Sequence, residues 1–129
     1  MMLDHEGLLR LLRRVAEGKA RAIKMSTGGK PDEALEALRE LCTSVLGMEF
    51  SVLSMLDAKS AVDLLGAHQR VFAFVEIVEV MGDVQLPREP AMALLRYQQA
   101  FHVAAVLQER DGVKPALAEL AQRLLERIS

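Results

Sequence analysis

Lys19 is the residue whose presence is least explained by the needs of folding. In a helix projected at about 100° per residue it lies amid apolar side chains, namely Leu8, Leu12, Val15, Ala16, Ala22 and Ile23. A buried, unpaired ammonium group is costly, so we expect a carboxylate partner, loss of the proton or exposure in a groove. Glu76 and Glu79, the chief polar residues of the most apolar segment, are the expected partners. Two interpretations stay open: a charged pair lining a pocket or interface, or a lysine whose stem packs while its head reaches water.

Histidine and cysteine give little support for catalysis. The chain has three histidines, His5, His68 and His102, and none is three or four residues from another, the spacing that puts two metal ligands on one helical face. His68 and His102 would form a metal site only by meeting across helices with a carboxylate, so we expect them to be satisfied or exposed. Cys42, the single cysteine, excludes a disulfide within the chain and is expected to pack as a small apolar side chain. The sequence has no nucleophile elbow, phosphate loop or dinucleotide fingerprint, so we expect no catalytic residues, no cofactor and no enzyme activity.

Basic residues cluster on the opposite side of the first helix. They are Arg10, Arg13, Arg14, Arg21 and Lys24. Such a stripe suits phosphate or an acidic partner. It lacks interleaved aromatic residues for base stacking, and the chain carries a net charge of -2. We therefore expect a solvated helix face and argue against nucleic acid as the partner.

The composition predicts an all-helical protein. Of the 129 residues 51% are hydrophobic and only 4% are aromatic, so the core must consist of Leu, Val, Ala and Met, which mostly favour helices. The longest apolar stretch, residues 71–81, contains two glutamates and is shorter than the roughly 20 residues that cross a bilayer. With one cysteine and no signal-peptide pattern, we expect a cytoplasmic protein with no membrane partner, folded as a single domain over residues 1–129.

Caps and periodicity place the helices. We predict helices at about 4–25, 31–46, 48–56, 57–65, 67–81, 88–110 and 114–128, with residues 84–87 as an extended linker between two helical blocks. Short glycine-containing connections predict antiparallel hairpins, and together these give an all-α bundle of five to seven helices. The expected core includes Leu35, Leu38, Leu41, Leu94, Phe101, Leu117, Leu120 and Leu124.

The segment 71–81 is apolar nearly all round and must be covered on most sides. It is either the central helix of the bundle or an apolar face that waits for another subunit. Phe72 and Phe74 point in different directions on the wheel, which favours a homodimer. The expected self-association residues are Val71, Phe72, Phe74, Val75 and Val78.

The segment 29–38, GKPDEALEAL, resembles the second helix of a tetratricopeptide unit. The layout is similar to a group of small, uncharacterised, tetratricopeptide-like bacterial proteins known only as a domain of unknown function. This resemblance implies a scaffold or protein-binding role with a protein partner of unknown identity. We accordingly expect a non-catalytic interaction or assembly module that forms homo-oligomers. The alternatives are a small-ligand or metal-dependent enzyme centred on Lys19, Glu76 and Glu79, and a nucleic-acid accessory protein that uses the basic stripe.

Overall fold

The computed structural model describes residues 4–129, which form seven α-helices and no β-strand. The helices are α1 (His5–Thr27), α2 (Pro31–Leu46), α3 (Phe50–Met55), α4 (Ala58–Leu65), α5 (His68–Gln85), α6 (Pro90–Asp111) and α7 (Pro115–Ile128). The predicted all-α fold and the number of helices are confirmed for this part of the chain.

Local capping signals fix several helix ends where the sequence predicts them. Asp4 caps α1 by accepting a hydrogen bond from the Gly7 amide at 2.6 Å, and Asp57 caps α4 through the Ser60 amide at 2.7 Å. Pro31 is the first residue of α2, and Gly47 ends that helix in the left-handed conformation with φ of 70°. These contacts join residues that are close in sequence, so the sequence of each helix and its flanking residues is enough to predict them.

Helix α5 is the centre of the molecule. It packs against α1, α2, α4, α6 and α7, and its Phe74 ring lies 6.3 Å from the Phe50 ring of α3. Most of its side chains are buried, because five other helices pack around it. Of the two alternatives for this segment, the structure supports the central helix.

The expected end of α5 at residue 81 is wrong. The helix continues to Gln85, so Val84 and Gln85 are helical rather than part of an extended linker. Both residues are buried, and tertiary packing here outweighs the helix-breaking tendency of Gly82. The expected separation into two helical blocks is corrected as well, since α5 and α6 pack along each other.

Five of the eight expected core residues are buried: Leu35, Leu38, Leu117, Leu120 and Leu124. Leu41 and Phe101 are partly buried against the core. The expectation that Leu94 belongs to the core is wrong, because this residue lies on the outer side of α6 and remains 39% exposed.

We expect Leu38→Asp to unfold the protein. Leu38 is 0% exposed, and an unpaired carboxylate at this position costs about 4 kcal/mol or more. The matched control is Leu94→Asp, which makes the same change at an exposed position and should keep most of the thermal transition. Circular dichroism during heating measures both. A Leu38→Asp variant as stable as Leu94→Asp would contradict the assignment of the core.

Candidate functional site

Three acidic residues form a stripe along the outer side of α5. Glu76, Glu79 and Asp83 follow one another at spacings of three and four residues, and they lie within an arc of about 60°. We call these three residues the acidic stripe.

Cations from two other helices cover the acidic stripe. Lys19 of α1 places Nζ 2.7 Å from Oε2 of Glu76. Arg123 of α7 binds Glu79 with two hydrogen bonds, from Nε at 2.7 Å and from Nη2 at 2.9 Å. The stripe therefore draws α1 and α7 against α5.

The third carboxylate, Asp83, also has partners on two helices. Arg127 of α7 forms an ion pair with it, and the hydroxyl of Tyr97 on α6 donates a hydrogen bond to Oδ1 at 2.7 Å. The Arg127 guanidinium lies 5.2 Å from the centre of the Tyr97 ring, within the range of a cation–π contact. Every member of the acidic stripe is thus neutralised by a cation.

Glu79 is the most buried charged residue in the described part of the chain. Glu79 is 4% exposed, and both of its carboxylate oxygens accept hydrogen bonds from Arg123. The hydrogen bond to Glu79 is the main cause that raises the pKa of Arg123, so this guanidinium stays charged. Burial, followed by the negative charge of Glu79, raises the pKa of Tyr97 above its ordinary value. Glu79 and Arg123 are therefore held together as a charged pair.

The structure divides the predicted polar group into two separate pairs. Lys19 forms an ion pair with Glu76, one of its two expected partners, whereas Glu79 forms an ion pair with Arg123. Sequence analysis missed Arg123 and Arg127. The available signal was the spacing of four residues between them on α7, which matches the spacing of Glu79 and Asp83 on α5.

The expected self-association residues are mostly inside the chain. Val71, Phe74, Val75 and Val78 are each 0% exposed, because α5 is wrapped by its neighbours. Only Phe72 is partly exposed, and it packs against the core. These four side chains are unavailable to another copy while the chain is folded, so the expected contact surface on α5 is corrected.

A different helix carries exposed apolar residues in a row. Leu9, Leu12 and Ile23 of α1 are 46%, 47% and 46% exposed, and Ala16 and Ala20 between them are exposed as well. The five side chains lie within an arc of about 80°. We call them the α1 outer stripe. A second arc of α1, about 120° round the helix from the outer stripe, is held in the core by Leu11, Val15 and Ala22.

All five members of the predicted basic stripe are exposed, and one of them is bonded within the chain. Arg14 donates a hydrogen bond to the Ser44 hydroxyl of α2. Arg10 and Arg14, with Arg70 of α5 and Asp4, line a surface pocket of about 340 Å³. Arg70 is already bonded to the last carbonyl groups of α4 and α2, at 2.9 and 2.8 Å. Its charge therefore stabilises two helix ends.

His68 is part of a clamp between the start of α5 and the end of α6. Its Nδ1 lies 2.7 Å from Oδ2 of Asp111, and Arg110 binds both oxygens of the same carboxylate at 2.7 and 2.9 Å. The hydrogen bond from Arg110 is the main cause that holds the pKa of Asp111 well below its usual range, and the bond to His68 adds to it. His102 is exposed on α6.

Cys42 packs as expected. It is 0% exposed, and burial raises the pKa of its thiol to about 11, so the thiol stays protonated near neutral pH. Within residues 4–129 no three His, Cys, Asp or Glu side chains are arranged to hold a metal ion. No helix in this part of the chain has the length and apolarity needed to cross a membrane.

Comparisons with protein-family models, with curated proteins and with solved structures found no match to this chain. The contacts and exposures above are therefore the basis for a functional proposal.

We expect Arg123→Met to lower the free energy of unfolding by about 2–3 kcal/mol, because it leaves the charge of Glu79 buried without a partner. The double variant Glu79→Met/Arg123→Met should lose less than the single variant, since both charges are gone. Arg39→Met is the matched control. Its pair with Glu36 is exposed, so the change should stay below about 0.5 kcal/mol. Chemical denaturation measures all three; equal losses for Arg123→Met and Arg39→Met would contradict this account.

The clamp at Asp111 predicts a dependence on pH. A carboxyl group with a lowered pKa in the folded state stabilises the protein above its unfolded pKa of about 4, and the stabilisation fades as the pH falls toward the folded value. Asp111→Asn should therefore unfold more easily than the original protein at pH 7, by about 1 kcal/mol. The difference should shrink below about pH 4. Thermal unfolding of both proteins across this range measures it, and a difference that does not change with pH would refute the interpretation.

Proposed function

We propose that this protein is a non-catalytic helical interaction module that binds an apolar partner helix along the α1 outer stripe. The observation that carries the proposal is the row of three large apolar side chains, Leu9, Leu12 and Ile23, each nearly half exposed. Exposed apolar side chains that follow one another on one helix face favour a docking partner. The other exposed large apolar residues are spread over α3, α4, α6, α7 and the loops.

The way α1 is held supports this role. Leu11, Val15 and Ala22 fix one arc of the helix in the core, and Lys19 fixes its rotation through the ion pair with Glu76. The outer stripe is consequently presented on a supported helix, so a partner would order few additional groups on binding. Removing the remaining exposed area of each large side chain from water contributes on the order of 1 kcal/mol.

The enzyme alternative has less support from the contacts. Lys19, Glu76 and Glu79 are each engaged in a short ion pair, and Glu79 is closed off from solvent. A general acid or base must reach a substrate proton, and a metal ligand needs free lone pairs. The observed pairs use those groups to attach α1 and α7 to α5.

The nucleic-acid alternative is also less supported. Arg14 and Arg70 are committed to hydrogen bonds within the chain, and Arg13 and Lys24 alternate along α1 with Glu6 and Glu17. A phosphate backbone favours a continuous positive surface. The mixed signs instead suit a protein partner with its own mixed charges. The consecutive hairpins α1–α2 and α6–α7 are in keeping with a tetratricopeptide-like interaction scaffold.

A capture experiment tests the proposal. The purified chain is immobilised beside Leu12→Arg, which puts a charge in the outer stripe, and proteins retained from a lysate of the native host are compared. Leu64→Arg is the matched control, because Leu64 is 52% exposed on α4 and lies outside the stripe. We expect partners on the original chain and on Leu64→Arg, with at least a tenfold loss on Leu12→Arg, the equivalent of about 1.4 kcal/mol. The same proteins in equal amounts on all three chains would refute a role for the outer stripe.

A further inference from the structure

We infer that the α1 outer stripe docks against the same stripe of a second copy of this chain, with the two helices antiparallel and crossing at Ala16. This inference rests on the proposed function and names the partner of that surface. It commits to a symmetric dimer, in which each copy supplies the helix that the other one binds.

The first argument is the symmetry of the outer stripe about Ala16. Leu9 and Ile23 each lie seven positions from Ala16, and Leu12 and Ala20 each lie four positions from it. A two-fold axis through Ala16 therefore sets Leu9 against the partner's Ile23 and Leu12 against the partner's Ala20. A small residue at the crossing point allows two helices to approach closely, with the larger side chains packing on either side.

The second argument is the order of charges along one flank of the outer stripe. Going along α1 these are Glu6, Arg13, Glu17 and Lys24, which alternate acidic and basic. All four are exposed, and none forms an ion pair with another residue of the described range 4–129. In an antiparallel pair that crosses at Ala16, Glu6 lies two residues from the level of the partner's Lys24, and Arg13 lies two residues from the level of the partner's Glu17. This offset is about 3 Å along the helix, which these long side chains can span. In a parallel two-fold pair this flank would lie on opposite sides of the two helices, so these charges would not meet; only the antiparallel arrangement brings them together.

The remaining basic residues of α1 do not oppose this arrangement. Arg10 and Arg21 lie further round the helix from the outer stripe, and Arg14 is bonded to Ser44 of its own chain. Lys19, on the other flank, is paired with Glu76. Near the centre of the crossing, Glu17 is the one flank charge that lies close to its own copy, and the partner's Arg13 is at the same distance along the axis.

The expected dimer is a modest one. Two single helices that cross bury less area than a standard interface of roughly 1,600 Å². We therefore expect a dissociation constant in the range of about 1–100 µM and rapid exchange between monomer and dimer.

Sedimentation velocity over a concentration series tests the inference directly. The original chain should shift from monomer to dimer as its concentration rises to about 200 µM. Ala16→Glu should weaken the dimer at least tenfold, because the two-fold axis sets the two new carboxylates face to face. Ala91→Glu, at an exposed alanine of α6, is the matched control and should dimerise as the original chain does. Circular dichroism confirms that each variant is folded. An unchanged dimer in Ala16→Glu overturns the inference.

A charge exchange tests the direction of the helices. Glu6→Lys alone should weaken the dimer several-fold, because the new lysine meets the partner's Lys24. Adding Lys24→Glu should restore it, since the opposite charges then face each other again. These two positions lie eighteen residues apart in one helix, so the restoration cannot come from a contact within the chain. A double variant no tighter than the single variant overturns the antiparallel arrangement.

The outcomes separate this inference from the proposed function. A chain that stays monomeric at about 200 µM and still captures a partner only when Leu12 is intact overturns the dimer and leaves the interaction module in place. A monomeric chain whose capture is indifferent to Leu12→Arg overturns both. A dimer that Ala16→Glu breaks and Ala91→Glu keeps supports both.

Discussion

The burial of α5 is the constraint on which the rest of the structure depends. A helix that is apolar on most sides must be enclosed, and five other helices pack around it. The enclosure is tight where α6 passes, since a Cβ at Gly82 would lie 2.6 Å from Cε1 of Tyr97, far inside van der Waals contact. Glycine at this position lets two helices approach at close distance, and the Tyr97 hydroxyl then reaches Asp83. Close packing and the polar contacts of α5 are therefore parts of the same arrangement.

The acidic stripe determines how the flanking helices are oriented. Carboxylates on an otherwise apolar helix cannot be left unpaired, and a buried one such as Glu79 requires a partner with good geometry. Lys19 from α1 and Arg123 from α7 meet this need. Because Lys19 must face α5, the rotation of α1 about its own axis is set, and Leu12 and Ile23 are turned toward solvent. The same ion pair that completes the fold thus exposes the surface proposed for binding.

Local features such as helix caps were predictable from the sequence, whereas the burial of one helix by its neighbours was not. Asp4, Pro31 and Asp57 act on helix ends within three or four residues, so their roles follow from a single helix. The burial of Val75 and the exposure of Leu94 depend on which helices pack where, and periodicity alone does not give that. The extension of α5 past Gly82 likewise comes from contact with α6. Arg123 was missed for the same reason, since its partner lies 44 residues away in the chain.

The two arcs of α1 have different sequence requirements, and this difference supports an interface more than an incidental exposure of leucine. The inner arc needs only apolar volume and one lysine to pair with Glu76. A helix with no partner on its outer arc needs only solubility there, which polar residues provide. Instead the outer arc combines apolar side chains at equal distances from Ala16, large ones at Leu9 and Ile23, with charges that alternate along one flank. Folding of the single chain does not require that symmetry, whereas the pairing of two antiparallel copies does.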